Sequence, residues 1–243
     1  MQTAAYYTRG LLQHHKKRNM ERIAEIIPVS QQVLQQFLTD SPWDHRGVFD
    51  QVLGVADKEI GDPENAAFVI DDTAFDKKGN ASAGVARQYN GNLGKVDNCQ
   101  IGVYGALVNG RDAYLTDSRL YLNEEWTKDK TRCDKVKIPM QERVFKTKDQ
   151  IACEIIKNAL SRDARFKCVL VDGGYGKNIG FLLDIEALGK YYLADVHKDQ
   201  YVYLNDPKFA VPAYGGRGRI PTKKETTETP IVNVKLNSLG KIK

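Results

Sequence analysis

The chain has 243 residues, of which 42% are hydrophobic and 28% charged, an ordinary composition for a protein that folds around its own core. Lys and Arg outnumber Asp and Glu by 36 to 31, so the net charge of +5 permits a polyanionic partner without requiring one. No segment reaches about 18 apolar residues and the N-terminus has no apolar signal core. These features disfavour export and membrane spanning and predict a cytoplasmic protein.

Apolar residues recur at helical spacing in residues 1–60, which predicts a helical N-terminal region. Ser30 is the expected N-cap of one helix, and Asp40 marks the end of that helix. Pro42 suits the start of the next helix, because proline is favoured in a first helical turn.

Residues 66–122 have the alternation and turn dipeptides of β-strands. A short apolar run over residues 67–70 ends in Asp71 and Asp72. Further strands are predicted over residues 82–89, 99–108 and 114–121. The densely charged stretch that follows, 123–137, is predicted to be an exposed loop.

Residues 147–195 alternate between helical and strand patterns, and one apolar strand ends at Asp172. Strands that come first, followed by helix–strand–helix–strand, predict the α/β class with a mixed sheet flanked by helices. The predicted elements are a helix over 148–160, a strand over 168–171, a helix over 179–188 and a buried strand over 191–194. The expected domains are a helical region at 1–60, an α/β core at 61–195 and a polar, basic segment at 196–243.

The cysteines are not expected to form a zinc site, because no two lie at CxxC spacing and no histidine lies at ligand spacing from them. Scattered cysteines in a chain without a signal peptide are expected to be reduced thiols. They are Cys99, Cys133, Cys153 and Cys168.

Asp71 and Asp172 are the candidate functional residues, since each follows an apolar strand. If the two strands are parallel neighbours, both carboxylates lie at one end of the sheet, where a divalent cation relieves their repulsion. Oxygen ligands of this kind suit Mg²⁺ or Mn²⁺. The alternative is structural, because aspartate often follows a strand to start a turn or to cap a helix.

A series of motifs surrounds these aspartates in a fixed order. They are Asp71-Asp72-Thr73-Ala74-Phe75-Asp76-Lys77-Lys78-Gly79, Gly84-Val85-Ala86-Arg87-Gln88-Tyr89, Gly94-Lys95-Val96-Asp97-Asn98-Cys99-Gln100, Arg119-Leu120-Tyr121-Leu122, Phe145-Lys146-Thr147-Lys148 and Asp172-Gly173-Gly174-Tyr175-Gly176. Together they resemble the DDE superfamily endonuclease domain of bacterial insertion-sequence transposases. The resemblance runs from about residue 5 to the end of the chain.

This resemblance implies an RNase H-like core with two Mg²⁺ or Mn²⁺ ions and three acidic ligands. Asp71 matches the first acid and Asp172 the second. Asp72 is a rival for the first position and a further candidate metal ligand, but Asp71 is preferred because the family pattern reads as an acid, a variable residue and then Ser or Thr; Asp72 is then expected to support the ligands or to lie in a turn. The third acid of the family is a Glu on a helix beyond a β-rich insertion. Residues 196–243 resemble the start of that insertion, so we expect a chain cut short before this Glu, with Glu225 and Glu228 as poor substitutes.

Basic residues provide candidate DNA contacts, because Lys and Arg neutralise phosphates and release counterions. Lys16, Lys17 and Arg18 form one cluster, for which a solvated helix face is an equal alternative. Arg87 and Lys95 fall within the matching motifs and are candidate phosphate contacts near the metals. For Arg87 the alternative is a surface ion pair.

Two further side chains near the motifs have simpler explanations. His197 is interpreted as a lone surface histidine, although it follows a strand of the core. Tyr175 is expected to pack against the sheet rather than to stack on a base.

The leading functional hypothesis is a DNA transposase that acts on double-stranded DNA, with metal-dependent cleavage and strand transfer at element ends. The alternative is a non-catalytic DNA-binding remnant or regulator of transposition. A hydrolase of RNA–DNA hybrids would share the metal chemistry but has no support from the ordered motifs. The sequence does not decide whether the protein forms a homo-oligomer.

Overall fold

The structure, a computed structural model, describes residues 2–13, 19–41, 44–196, 203, 207–226 and 228. Its helices are α1 (Gln2–Gln13), α2 (Met20–Ala24), α3 (Gln31–Asp40), α4 (His45–Ile60), α5 (Glu124–Lys128), α6 (Lys130–Lys135), α7 (Lys148–Ser161), α8 (Gly173–Gly176) and α9 (Ile179–Ala187). Its strands are β1 (Ala67–Asp76), β2 (Ala86–Asn90), β3 (Lys95–Asn109), β4 (Asp112–Leu120), β5 (Cys168–Val171) and β6 (Tyr191–Ala194). The chain divides into two compact units, Met1–Val48 and Phe49–Lys243.

The first unit contains helices α1 to α3, as the apolar spacing of this region predicts. The buried residues Ile23, Ile27 and Leu34 form its small core. Ser30 caps α3 as expected, because its side chain accepts a hydrogen bond from the backbone N–H of Val33. Pro42, the predicted start of the next helix, lies outside the described residues.

The second unit is built on a six-stranded mixed sheet, which confirms the predicted fold class. The strand order is β2-β3-β1-β5-β6, and β4 pairs with β3. β1 is antiparallel to β3 and parallel to β5, and β5 is parallel to β6. The sequence predicts that the first strand ends at Asp71 and Asp72. In the structure β1 continues to Asp76, because β3 pairs with it along its whole length.

Helix α7 covers one face of this sheet and forms the main core. It begins with a capping box in which the side chains of Thr147 and Gln150 bind each other's backbone N–H groups. Its apolar side includes Ile155 and Ile156, which belong to the same buried cluster as Phe68 and Ile70 of β1. Burying each such side chain stabilises the fold by about 1.5–3 kcal/mol, so α7 holds the centre of the sheet in place.

The predicted loop over residues 123–137 is wrong, since this stretch contains α5 and α6. Asn123 and Asp129 accept hydrogen bonds from the first turns of these helices. Trp126 is fully buried, and its Nε1–H donates to the carbonyl oxygen of Val85 at 2.8 Å. Arg132 lies over the Trp126 ring at 3.8 Å from its centroid. The charged residues lie on the outside of a small pair of helices. Because they dominate the sequence of this stretch, the pattern did not indicate that one side is buried.

Strand β6 lies where the sequence predicts a strand, but the prediction that it is buried is wrong. Tyr191 is 71% exposed and Leu193 is 69% exposed. β6 comes last in the strand order, and the described residues leave these side chains uncovered. Among the described helices, none combines the length and the apolar character needed to cross a bilayer.

Candidate functional site

The register of two parallel strands places Asp71 and Asp172 side by side. The pairing of β1 with β5 ends at Ile70 opposite Val171, and each aspartate is the next residue in its chain. Consecutive residues of a strand point to opposite faces, so Asp71 points away from the face to which Ile70 belongs, while Asp172 leaves β5 as the N-cap of α8. The sequence hypothesis requires this neighbouring, parallel arrangement of the two strands.

One oxygen of Asp71 is used within the chain. Its Oδ1 atom accepts a hydrogen bond of 2.7 Å from the backbone N–H of Asp72. On the neighbouring strand β3, Tyr104 pairs with Asp71 across the antiparallel ladder. A Cβ atom added at Gly102 would lie 2.6 Å from the Tyr104 hydroxyl oxygen, so the tyrosine ring requires a glycine beneath it.

Asp172 is both a helix cap and a candidate ligand. Its Oδ1 atom accepts hydrogen bonds from the backbone N–H groups of Gly174 at 3.0 Å and Tyr175 at 3.2 Å. The structural alternative considered from sequence, a helix cap, is therefore present, but it occupies only one of the two carboxylate oxygens. Gly176 is required by packing, because a Cβ there would lie 2.5 Å from the carbonyl oxygen of Asp195.

Asp72, the rival of Asp71, points to the face covered by α7. Its Oδ2 atom accepts a hydrogen bond from Nζ of Lys148, the first residue of α7, at 2.7 Å. The alternation of β1 thus separates two adjacent aspartates, and Asp72 is the one paired with a cation. Sequence reasoning placed Lys148 in a matching motif but assigned it no role. A signal was available, because a lysine in the first turn of a helix opposes the helix dipole.

Tyr175 lies between the aspartates and the core, which agrees with its expected packing role. Its ring contacts that of Phe181, with the ring centroids 5.8 Å apart, and the residue is 3% exposed. Its hydroxyl group lies close to the Asp72 carboxylate but makes no hydrogen bond of normal geometry within the described part of the chain. Burial raises the pKa of Tyr175 far above its ordinary value, and the carboxylates of Asp72, Asp149 and Asp71 raise it further.

The surroundings of Asp71 disfavour the ionised form of its carboxyl group. Although the residue reaches solvent, partial burial of its carboxyl group raises its pKa above the ordinary value of 3.8. The nearby charges of Asp172 and Asp72 also raise the pKa, while the hydrogen bond from the Asp72 backbone and the Lys148 ammonium lower it. Burial and like charge therefore both disfavour the ionised form, as in a site that gains from a bound cation.

The two aspartates fit part of a divalent-cation site. Within the described residues, the Oδ2 atoms of Asp71 and Asp172 make no hydrogen bond, so one oxygen of each is available to a hard cation. The described residues contain no group of three His, Cys, Asp or Glu side chains that could hold a metal. Glu225, which forms a backbone bridge with Ala210, and Glu228 belong to no such group in the described part of the chain.

A third aspartate that sequence reasoning missed follows the next strand. Asp195 comes directly after β6, whose last pair joins Ala194 to Val171. Its backbone N–H donates to the carbonyl oxygen of Val171 at 3.2 Å, which continues the parallel ladder. Asp195 is one strand further from Asp71 than Asp172 is, so it extends the acidic edge of the sheet without joining a metal-binding group among the described residues.

Two of the predicted DNA contacts, Arg87 and Lys95, lie on the hairpin of β2 and β3, on the opposite side of β1 from Asp172. Arg87 is exposed on β2 and pairs across the strands with Asn98 of β3, while Lys95, at the start of β3, forms an ion pair of 2.8 Å with Asp97. Lys95 is thus engaged in a surface ion pair. Lys16, Lys17, Arg18 and His197 lie outside the described residues.

A shallow cleft lies on the sheet face that carries Asp71 and Tyr104. Its volume is about 290 Å³, and its walls include the exposed apolar side chains of Phe75 and Leu120. Gly102 and Tyr104 line it as well. The face that carries Asp71 is therefore uneven and has aromatic character at this cleft.

The fold is a mixed α/β sheet, and the carboxylates of Asp71 and Asp172 lie at neighbouring strands of it. Together they define the class of α/β proteins with a candidate metal site made of carboxylates. The chain belongs to the DDE superfamily endonuclease family, whose model matches residues 1–239. The six-stranded sheet with its flanking helices agrees with the RNase H-like core that the sequence resemblance implies.

The chain is 32% identical over 201 residues to the probable transposase for insertion sequence element IS701 of Microchaete diplosiphon. The match covers 80% of this chain and 48% of the relative, so the chain spans about half the length of the curated relative it matches. A solved structure, the Drosophila P element transposase strand transfer complex, matches with 10% identity and a TM-score of 0.37, over 79% of this chain and 41% of that one. This structural similarity is too remote to bear on the site.

Proposed function

We propose that this protein is a DNA transposase, in which Asp71 and Asp172 hold divalent cations for cleavage and strand transfer at the ends of a mobile element. The observation that carries the proposal is the register of β1 and β5, which sets these two carboxylates next to each other. Membership of the DDE superfamily endonuclease family and the similarity to a probable transposase support the choice of DNA as substrate.

Mg²⁺ or Mn²⁺ is the cation that suits this oxygen donor set, and two such ions can activate a water or a 3′-hydroxyl and stabilise the leaving oxygen of a phosphodiester. The chain itself orients the ligands. The backbone N–H of Asp72 holds Oδ1 of Asp71, and the backbone N–H groups of Gly174 and Tyr175 hold Oδ1 of Asp172. These bonds fix the direction of each Oδ2 atom before any cation arrives.

Duplex DNA is the proposed partner, and phosphate contacts are assigned to basic side chains. Arg87 and Lys95 lie on the hairpin formed by β2 and β3, where Lys95 already pairs with Asp97. Phosphate would therefore compete with a carboxylate for Lys95, whereas Arg87 presents an exposed guanidinium group. Lys16, Lys17 and Arg18 remain proposed contacts of the N-terminal region.

The test is an end-cleavage assay with Mg²⁺ or Mn²⁺, using labelled DNA that carries the ends of the element. The purified chain is compared with a version extended along its reading frame, and each is prepared as wild type, Asp71→Asn and Asp172→Asn. Asp112→Asn, at an exposed position of β4, is the matched control. In whichever version the wild type cleaves the DNA ends, we expect Asp71→Asn and Asp172→Asn to abolish cleavage and Asp112→Asn to retain it.

Cleavage that survives both site substitutions would overturn the proposed roles of Asp71 and Asp172. Specific binding of the DNA ends without cleavage by either version would favour the non-catalytic regulator instead. Cleavage of an RNA–DNA hybrid in preference to duplex DNA would assign the site to a different substrate.

A further inference from the structure

Lys148 and Asp72 form an ion pair directly behind the candidate metal ligands. The side chain of Lys148 is 33% exposed and that of Asp72 is 25% exposed, so both charges are partly withdrawn from solvent. Lys148 is also the first residue of α7, where the positive end of the helix dipole disfavours a cation. The position of this ammonium group therefore depends on the carboxylate of Asp72, which lies 76 residues earlier in the chain.

The side chain of Tyr175 lies near the Asp72 carboxylate of this ion pair. Its hydroxyl group lies close to the Asp72 carboxylate in a position that is almost fully buried. Its backbone N–H binds Asp172, while the backbone N–H of Asp72 binds Asp71. Each candidate ligand is thus held by the main chain of a residue whose side chain belongs to the cluster of Lys148, Asp72 and Tyr175.

Resting on the metal site of the proposed function, we propose that Asp72 is a positioning residue rather than a metal ligand. It holds the Lys148 ammonium behind Asp71 and Asp172, and this cation sets the affinity of the two carboxylates for divalent metal. The adjacent aspartates of β1 therefore have separate roles, because the alternation of the strand sends one carboxylate to the open face and the other to α7.

The net charge around the bound cation distinguishes this role from direct ligation. Asp71 and Asp172 contribute two negative charges, and the pair of Asp72 with Lys148 contributes none. Neutralising Asp72 alone leaves an uncompensated positive charge near the cation, whereas neutralising Lys148 alone leaves an additional negative charge. Neutralising both restores the original balance, so a positioning pair predicts recovery of metal affinity and a direct ligand predicts a lasting loss.

The experiment is a calorimetric titration of Mn²⁺ into the wild-type chain, Asp72→Asn, Lys148→Met and the double variant at one ionic strength. We expect Asp72→Asn to weaken binding about tenfold and Lys148→Met to strengthen it several-fold, as for unit charges close to a cation in a partly buried site. The double variant should bind within about twofold of the wild type. Circular dichroism checks the fold of each variant, and Asp72→Ser replaces Asp72→Asn if the latter does not fold.

A matched control uses the neighbouring ion pair of Lys146 with Glu154, whose side chains are 33% and 41% exposed and 2.8 Å apart. Lys146→Met and the double variant of Lys146→Met with Glu154→Gln should leave Mn²⁺ affinity unchanged. An equal effect of Lys146→Met and Lys148→Met would overturn the inference, because it would reduce the role of Lys148 to general charge.

Two outcomes separate the inference from the proposed function. If Asp172→Asn weakens Mn²⁺ binding but the double variant of Asp72 and Lys148 stays as weak as Asp72→Asn, Asp72 is a ligand and the inference fails alone. If Asp172→Asn leaves Mn²⁺ binding unchanged, the metal site itself is refuted and the inference falls with it.

Discussion

Asp172 lies next to Asp71 because each follows the last paired residue of two parallel strands, Val171 and Ile70. The two carboxylates come from positions about a hundred residues apart, and their electrostatic interaction raises the pKa of Asp71 in addition to the larger effect of burial. This relationship connects the fold to the proposed chemistry, and it makes the properties of Asp71 measurable without a DNA substrate.

Asp71→Asn should stabilise the metal-free protein at neutral pH. A carboxyl group whose pKa is raised on folding favours the fold while it is protonated, and that contribution is lost as pH rises through the folded pKa. The expected gain at pH 7 in EDTA is about 0.5 kcal/mol, a small value because the group is partly exposed and screened. The gain should vanish below the ordinary pKa of 3.8.

Urea unfolding between pH 3 and 7 measures this difference, with Asp112→Asn as an exposed control. Adding Mn²⁺ should reverse the order of stability, since only the wild type gains from binding. A variant less stable than wild type at pH 7 in EDTA would contradict the raised pKa of Asp71.

Gly105→Ala should destabilise the second unit by about 2 kcal/mol, because the site is already filled. An added Cβ would lie 2.5 Å from Cγ2 of Ile155 and 2.9 Å from the ring of Phe68. The matched control is Gly54→Ala in α4, where an added Cβ meets no atom within 4 Å. Because alanine favours a helix interior, the control should gain about 0.5–1 kcal/mol. Thermal unfolding of both variants tests the contrast, and equal shifts would contradict the close packing of α7 on β3.

Tyr175→Phe should leave the stability of the protein nearly unchanged or slightly raised, within about 0.5 kcal/mol. The hydroxyl it removes is buried without a hydrogen bond of normal geometry, so little favourable interaction is lost. Tyr175→Ala should instead cost about 3–5 kcal/mol, because it empties a position packed against Phe181. Denaturant unfolding distinguishes the two. A large loss in Tyr175→Phe would show that the hydroxyl bonds to Asp72 in solution.

Replacing Lys16, Lys17 and Arg18 by Ala should flatten the salt dependence of duplex DNA binding. Losing three phosphate contacts lowers the slope of log K against log salt by about 2 to 3. The control replaces Lys128, Lys130 and Lys135, exposed residues of α5 and α6, and removes the same charge. Fluorescence anisotropy across a salt series measures both slopes. Equal slopes for the two triple variants would assign the N-terminal cluster to a solvated helix face.

Local physical chemistry made much of the fold predictable. The N-cap at Ser30 and the period of α7 depend on hydrogen bonds and side-chain spacing within a few residues, and both appear in the structure. The same holds for the strands that precede Asp71 and Asp172, whose apolar runs read directly as strand cores. The ordered motifs around them were sufficient to indicate the family, which the family match confirms.

The tertiary structure decided what depends on distant parts of the chain. The helical pair around Trp126 was missed because its burial is completed by Val85, 41 residues away. The exposed face of β6 follows from its place in the sheet, which no local pattern records. The pairing of Asp72 with Lys148 requires the start of α7 to lie against β1, so only the tertiary structure gives one of the two adjacent aspartates a cation as its partner. Strand register and helix packing are collective properties, so the sequence by itself named the acids and the tertiary structure distinguished their surroundings.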